Sequence, residues 1–457
     1  MLLGSGLVLA AAGARREGEL FGLAAAAGSS TILPMHQGLG ANAAAYGAPL
    51  MRRLEQLAAF TEIPGQLTRR YLSPAHLAAS RQVAAWMREA GMDVRTDALF
   101  SLFGRYEGQK PGAPAIMLGS HLDTVLDAGR YDGALGVLAA IAVVAELSRR
   151  GERLQHAIEV AAFGEEEGSR FPAHILTSSA LIGAVGPKHM DSRDKDGISV
   201  REAIVAAGGN ADDYLSCART AGEIAAYLEL HIEQGPVLEQ SGLALGAVTA
   251  ISGSHRLSVT VSGFAGHAGT VPMAQRRDAL AAASEMILAI ERLACSDKAL
   301  VATVGQIVAL PGAQNVIPGK VGFSIDMRSP ADAVRDRAHR ALLDTFEEIA
   351  ARRGVDVEAA TYQRNAATLL ADGVIAAVLQ AIAACGQAPL SLPSGAGHDA
   401  GIMARHCPAG MIFLRCKGGI SHNPAESIAL EDAEAGVRAL LEATRRLDHW
   451  LVKPGSQ

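Results

Sequence analysis

The sequence predicts an α/β fold in two parts. A discontinuous α/β domain covers residues 46–250 and 363–457, and a smaller ferredoxin-like α+β domain is inserted at residues 251–362. Three observations carry this expectation. Two short apolar runs each break into a burst of polar residues, with an apolar helix between them. A β-α-β-β-α-β order of elements lies further along the chain, inside that pattern. Finally, 457 residues that are 49% hydrophobic and 19% charged exceed one ordinary core and exclude a disordered or collagen-like chain.

The elements follow in order. Residues 1–45 are rich in Ala and Gly without a clear period and read as a loosely ordered extension, with Met35 and Met51 as alternative starts. Their first basic residues, Arg15 and Arg16, follow the apolar part, the reverse of a secretory signal. Pro49 is placed to open a helix over Leu50–Phe60, and Pro74 opens another that ends before Gly91. Ala115–Ser120 is a short strand, Gly133–Arg149 a helix, and Ala157–Phe163 a second strand that ends in charge. In the inserted unit, Arg256–Val261 alternates as a strand and Arg276–Leu293 is helical. Ala299–Ala309 and Lys320–Arg328 are strands, Pro330 opens a helix to Arg353, and Val355–Tyr362 closes the unit. A helix over Gly373–Cys385, a loop at Pro393–Asp399 and a strand at Gly410–Arg415 complete the α/β part.

Composition narrows the function. The formal charge of −6 and the lack of a basic run argue against nucleic acid as partner. No apolar stretch approaches the ~18 residues of a membrane span. Five scattered cysteines without a C-x-x-C pair read as reduced thiols of a cytoplasmic protein, not as disulfides or thiolate metal ligands.

In an open α/β sheet, ligands bind beyond the carboxyl ends of the strands, and both polar bursts fall there. The first contains His121, a nitrogen ligand candidate, with Asp123 spaced to orient its ring, and Asp132 just before the helix. Alone, this fragment reads equally as an N-cap aspartate beside a surface histidine. The second burst, Glu165-Glu166-Glu167, follows a buried strand directly and precedes Gly168. Three adjacent carboxylates there repel one another, and divalent cations would neutralise them, one Glu as ligand and its neighbour as base. His231 and His422 each sit beside an apolar run. Singly, each is better explained as a structural histidine. Together, five N/O ligands without a thiolate suit two Zn²⁺ or Mn²⁺ ions sharing one carboxylate.

From Leu50 to Leu451 the chain resembles the di-metal amidohydrolases of the aminoacylase and carboxypeptidase-like metallopeptidase superfamily (M20). Within it, the chain resembles the hydantoinase/carbamoylase branch, which includes allantoate amidohydrolases, N-carbamoyl-L-amino-acid hydrolases and β-ureidopropionases. The motifs that carry the resemblance are Gly119–Thr124, Gly129–Gly133, Glu166–Phe171, His231–Pro236, Gly266–Thr270, Asn315–Pro318, Gly395–Asp399 and Ser421–Pro424. The resemblance implies a di-zinc-peptidase-like catalytic domain whose inserted domain is a lid and dimerisation element. It implies His121, Asp132, Glu167, His231 and His422 as metal ligands, Asp132 bridging, for two Zn²⁺ or Mn²⁺ per subunit. Glu166 matches the general base and Asp123 the partner of His121; Glu165 matches no role. His267 matches a residue that stabilises the oxyanion, reaching the site across a homodimer. Gln234, Asn315 and Arg328 match substrate-binding positions, His267 belongs with them, and His398, in a loop that lines the site, takes a binding role. Arg328 suits a carboxylate because its fork pairs both oxygens. The wording around Thr124–Tyr131 and Met411–His422 is closer to allantoate amidohydrolases. The implied reaction is hydrolysis of a ureido C–N bond in allantoate, with N-carbamoyl-L-amino acids and then β-ureidopropionate as alternative substrates.

Overall fold

The computed structural model describes residues 46–452; the extension expected over residues 1–45 lies outside them. The larger framework is a nine-stranded sheet. From one edge its strands are Asp93–Thr96, Leu102–Tyr106, Ala157–Phe163, Ala115–His121, Ile224–Ile232, Ala409–Leu414, Leu245–Ile251 and Thr368–Leu369; Ser391–Ser394 also pairs with Leu245–Ile251. The four strands Ala157–Phe163, Ala115–His121, Ile224–Ile232 and Ala409–Leu414 are parallel. Their carboxyl ends therefore share one rim.

Apolar runs form these strands because both faces are covered. Ile116, Leu118, Leu228, Leu230, Ile412 and Leu414 point into one apolar layer, and Met117, Tyr227, Met411 and Phe413 into the other. The first layer packs the helices Gly47–Ala58, Pro74–Glu89, Ala134–Arg149, Asp372–Ala384 and Leu430–Val452. Ala134–Arg149 is apolar all round and is accordingly buried nearly all round. Gly136 lets it lie directly on the sheet: a Cβ there would sit 2.3 Å from the Leu230 carbonyl oxygen.

Caps explain where helices begin. Ser73 accepts the His76 N–H and Pro74 takes the first turn, so this helix starts where the sequence predicts. The helix expected from Leu50 instead starts at Gly47. The Glu434 carboxylate accepts the N–H groups of Tyr46 and Gly47, a cap supplied by the distant helix Leu430–Val452. That helix, and the strands Asp93–Thr96, Leu102–Tyr106, Ile224–Ile232, Leu245–Ile251, Thr368–Leu369 and Ser391–Ser394, add to the elements assigned from sequence.

A second, antiparallel sheet has the order Ile307–Leu310, Lys320–Ser329, Gly253–Ser262, Asp356–Asn365, with Val301–Thr303 also on Lys320–Ser329. The helices Ala279–Cys295 and Asp332–Arg353 share a separate core with one face of it, through Leu257, Val259, Phe323, Met327, Met286 and Phe346. The strand expected over Ala299–Ala309 is two short ones interrupted around Gly305, where a residue without a side chain weakens the strand. Lys320–Ser329 alternates strictly, so Asp326 and Arg328 emerge on the face away from the core.

Candidate active site

The rim of the four parallel strands collects the chemistry. His121 ends one strand, His231 lies at the end of another, Glu165–Glu167 follow the third, and the loop to His422 follows the fourth. Asp132 is the hub. Its Oδ1 lies 3.4 Å from His121 Nε2 and 3.2 Å from His231 Nε2. Its Oδ2 lies 3.3 Å from His422 Nε2, which is 3.5 Å from Glu167 Oε2. Two ligand groups thus share Asp132: His121, Asp132 and His231, and Asp132, Glu167 and His422.

Local backbone builds this closeness. Gly133, at φ 65°, starts the helix under the site, and a Cβ there would fall 2.4 Å from the His121 ring. Only glycine fits. Glu165, Gln234 and His422 each take left-handed backbone, φ 57°, 58° and 53°. Such a conformation is uncommon for residues with a side chain and concentrates at functional sites.

The ring orientations are fixed by main-chain acceptors. His121 Nδ1 is 3.0 Å from the Asp123 carbonyl oxygen and His231 Nδ1 is 2.9 Å from that of Ile232; both bonds present Nε2 to the site. The Asp123 carboxylate, expected to orient His121, stands 3.8 Å from Nδ1. It accepts the backbone N–H groups of Glu166 and Glu167 at 3.2 Å each instead. Asp123 therefore ties the two bursts together. Glu165 accepts from the N–H groups of Arg170 and Phe171 and shapes the turn.

Glu166 is buried, its Oε2 4.0 Å from His121 Nε2. Burial, together with Glu167, Asp399 and Asp123, pushes its carboxyl well above the ordinary range despite His121. Burial and Asp132 push Glu167 up to about 7, and burial and Asp123 push Glu165 up to about 8. Asp132 goes the other way: burial would raise it, but hydrogen bonds with His121, His231 and His422 hold it well below the usual carboxylate range. Hydrogen bonding to Asp132 raises His422 to about 9.

Divalent cations fit this donor set. Glu167 Oε1 and Gln234 Oε1 are buried acceptors without a partner, and crowded carboxylates with imidazole nitrogens are the chemistry that Zn²⁺ or Mn²⁺ satisfies. Among the described residues, no cysteine belongs to either ligand group.

The groups open into a cavity of about 840 Å³, also lined by Gln234, Arg256, Arg328, Gln363, His398 and Arg405. Gln234 donates to Asp132 Oδ2 at 2.8 Å. His398 packs edge-on against His231, ring centroids 4.6 Å apart, and pairs with Ser394 Oγ at 2.8 Å. Arg328 faces the cavity, but its fork is already engaged: Nε and Nη2 donate to Asp326, and Nη1 to the Gly395 carbonyl. Two of a guanidinium's five N–H groups remain. His267 and Asn315 do not line this cavity. They meet on a separate two-stranded ribbon, Gly266–His267 with Val316–Ile317, where both are exposed.

Other residues of the site carry no role in the sequence reading. Buried Glu426 accepts the N–H groups of Tyr131 (2.8 Å) and Asp132 (3.2 Å) and so aims the hub. Ser421 Oγ lies 3.0 Å from Asp132 Oδ2. Glu426 stands two residues beyond the Ser421–Pro424 motif, the one signal near it in the sequence.

Residues 117–446 match the model of the peptidase family M20/M25/M40, and the chain belongs to that family. It is a hydrolytic enzyme of the amidohydrolase kind. It is 42% identical over 402 residues to an N-carbamoyl-L-amino acid amidohydrolase of Geobacillus stearothermophilus, covering 88% of this chain and 98% of the relative. It is 37% identical over 428 residues to a probable allantoate deiminase of Oryza sativa subsp. japonica, covering 85% and 86%. A crystal structure of a hydantoinase/carbamoylase family amidase from Burkholderia multivorans superposes with a TM-score of 0.84 at 33% identity, covering 88% of this chain and 97% of that one.

Proposed function

We propose that the protein hydrolyses a ureido C–N bond in a small ureido carboxylic acid, allantoate first, releasing ammonia and carbon dioxide. The observation that carries the reading is the pair of ligand groups sharing Asp132 with Glu166 beside them, in a cavity that also presents arginines. Relatives named for N-carbamoyl-L-amino acids and for allantoate support the ureido class. N-carbamoyl-L-amino acids are the second reading, favoured by the 42% identity to the Geobacillus stearothermophilus relative; β-ureidopropionate is the third.

His121, Asp132 and His231 would hold one Zn²⁺ or Mn²⁺, and Asp132, Glu167 and His422 the other. When bound, such ions polarise a carbonyl and make water more acidic. Glu166 accepts a proton from the attacking water and returns it to the leaving nitrogen. Asp123 positions Glu166 and Glu167 through their N–H groups. Gln234 and His398 steady Asp132 and His231 at the cavity wall. Arg328, aimed by Asp326, offers its remaining N–H groups to the substrate carboxylate.

His267 and Asn315 act from a partner subunit in this reading, His267 donating to the oxyanion and Asn315 binding substrate. Two observations support a homodimer through residues 251–362. Both residues are exposed away from their own cavity. The edge strand Ile307–Leu310 also presents Ile307, Val308 and Leu310, each about half exposed or more, and an unpaired apolar edge invites a second chain. Mixing inactive Glu166→Gln chains with inactive His267→Ala chains then yields heterodimers with one intact site and measurable activity. Heterodimers shown to form without any recovery would place His267 in its own subunit or outside the reaction. The cytoplasm is the proposed location; among the described residues, all five cysteines are free and no helix is long and apolar enough to cross a membrane.

The test of substrate class is ammonia release from allantoate, N-carbamoyl-L-amino acids and β-ureidopropionate, with Mn²⁺ and Zn²⁺ compared. Turnover of allantoate above the others is expected. A full-length, metal-loaded protein that releases ammonia from none of them contradicts the reading.

A further inference from the structure

A row of side chains crosses three strands of the second sheet, and its chemistry is one-sided. Gln363, Arg256 and Asp326 stand directly opposite one another in register, and Arg328 follows two residues on along the same face. Arg256 Nε donates to Asp326 Oδ2 at 3.0 Å, and its Nη1 donates to Gln363 Oε1 at 2.9 Å. Asp326 also takes the fork of Arg328. One carboxylate thus holds two guanidiniums side by side, and that of Arg256 fixes the glutamine amide.

That last bond decides which way the amide faces. A guanidinium only donates, so the oxygen of Gln363 must point to Arg256 and its NH₂ must point elsewhere. Both Arg256 and Gln363 line the cavity, and so do Ser254, Arg364 and Asn365 of the same strands. Every side chain that these strands give to the cavity is polar. Arg256 retains three of its five N–H groups beyond the two bonds described, and Gln363 retains both of its own. With Asp326 consumed by the arginines, the row offers the cavity hydrogen-bond donors.

On the proposed reaction, Arg328 meets the substrate carboxylate, and Arg256 and Gln363 are left beside it along the row. We infer that Arg256 and Gln363 select the substituent on the α-carbon of the ureido acid, requiring a group with a carbonyl or carboxylate acceptor, such as a second ureido group, over an alkyl chain. An alkyl group placed there would dehydrate N–H donors without replacing their partners, and sites built to hydrogen-bond reject such analogues strongly. Asp326 is the positioning residue of the row. The inference rests on ureido hydrolysis, and it names the part of the cavity that tells one ureido acid from another.

The experiment compares kcat/KM for allantoate with kcat/KM for N-carbamoyl-L-leucine in the metal-loaded wild type, Gln363→Leu and Gln363→Glu. Gln363→Glu keeps an acceptor for Arg256 and removes both amide N–H donors, so it reads the donors even if the leucine variant folds poorly. Wild type should favour allantoate. In either variant kcat/KM for allantoate should fall about tenfold or more, chiefly through KM, and its ratio to that for N-carbamoyl-L-leucine should fall with it. Metal content should match wild type. A wild type that prefers N-carbamoyl-L-leucine, or a ratio within about twofold of wild type in both variants, overturns the inference and leaves ureido hydrolysis standing. A wild type that hydrolyses neither compound overturns both.

Discussion

Glu166→Gln is expected to lower kcat by ~10²–10⁴-fold, the range a positioned general base contributes, while metal content stays near that of wild type. The substitution preserves size and removes the proton acceptor. Glu166 lies at the His121 side of the site, its Oε2 4.0 Å from His121 Nε2, whereas Glu167 faces both Asp132 and His422 in its ligand group. The backbone N–H of Glu166 remains held by Asp123 in the variant, because that bond needs no side chain. Turnover with elemental analysis checks it. Activity retained with metal lost would exchange the roles of Glu166 and Glu167.

Asp132→Ala should be comparably severe, by a different route. Its two oxygens face different ligand groups, Oδ1 toward His121 and His231 and Oδ2 toward His422. One substitution therefore weakens both cation sites together. If the ions supply several kcal/mol of transition-state stabilisation, a loss of ~4 kcal/mol is a ~10³-fold fall in rate. Elemental analysis should show both ions depleted. His422→Ala touches one group, so it should deplete one ion preferentially. A variant lacking Asp132 that binds metal and turns over like the wild type would remove the hub from the account.

The parts of this arrangement that the sequence reveals are those written locally. Ala115–His121 and Ala157–Phe163 are recognisable because buried parallel strands must be apolar throughout, and their polar endings mark the rim where the structure gathers His121, Asp132, Glu166, Glu167, His231 and His422. What escapes is what depends on distant partners. Glu426 braces Tyr131 from 295 positions away, and the neighbouring Ser421–Pro424 motif does not say with what it bonds. Glu434 likewise moves a helix start to Gly47. Arg328 reads as a free fork until Asp326, on the same face of its strand, is seen to occupy it. Asp123 is near His121 in sequence, yet its carboxylate turns to the second burst and accepts the N–H groups of Glu166 and Glu167, while the ring is held by the Asp123 carbonyl oxygen.

The most direct test of the central claim, two cations on a shared Asp132 with Glu166 as base, is a metal titration of the full-length protein. Chelator-stripped protein is given increasing Zn²⁺ or Mn²⁺ while bound metal and ammonia release from a ureido acid are followed together. No turnover is expected without metal, with two equivalents bound per chain at saturation and activity that is complete once both are in place. Full turnover by a preparation verified to be metal-free would contradict that claim.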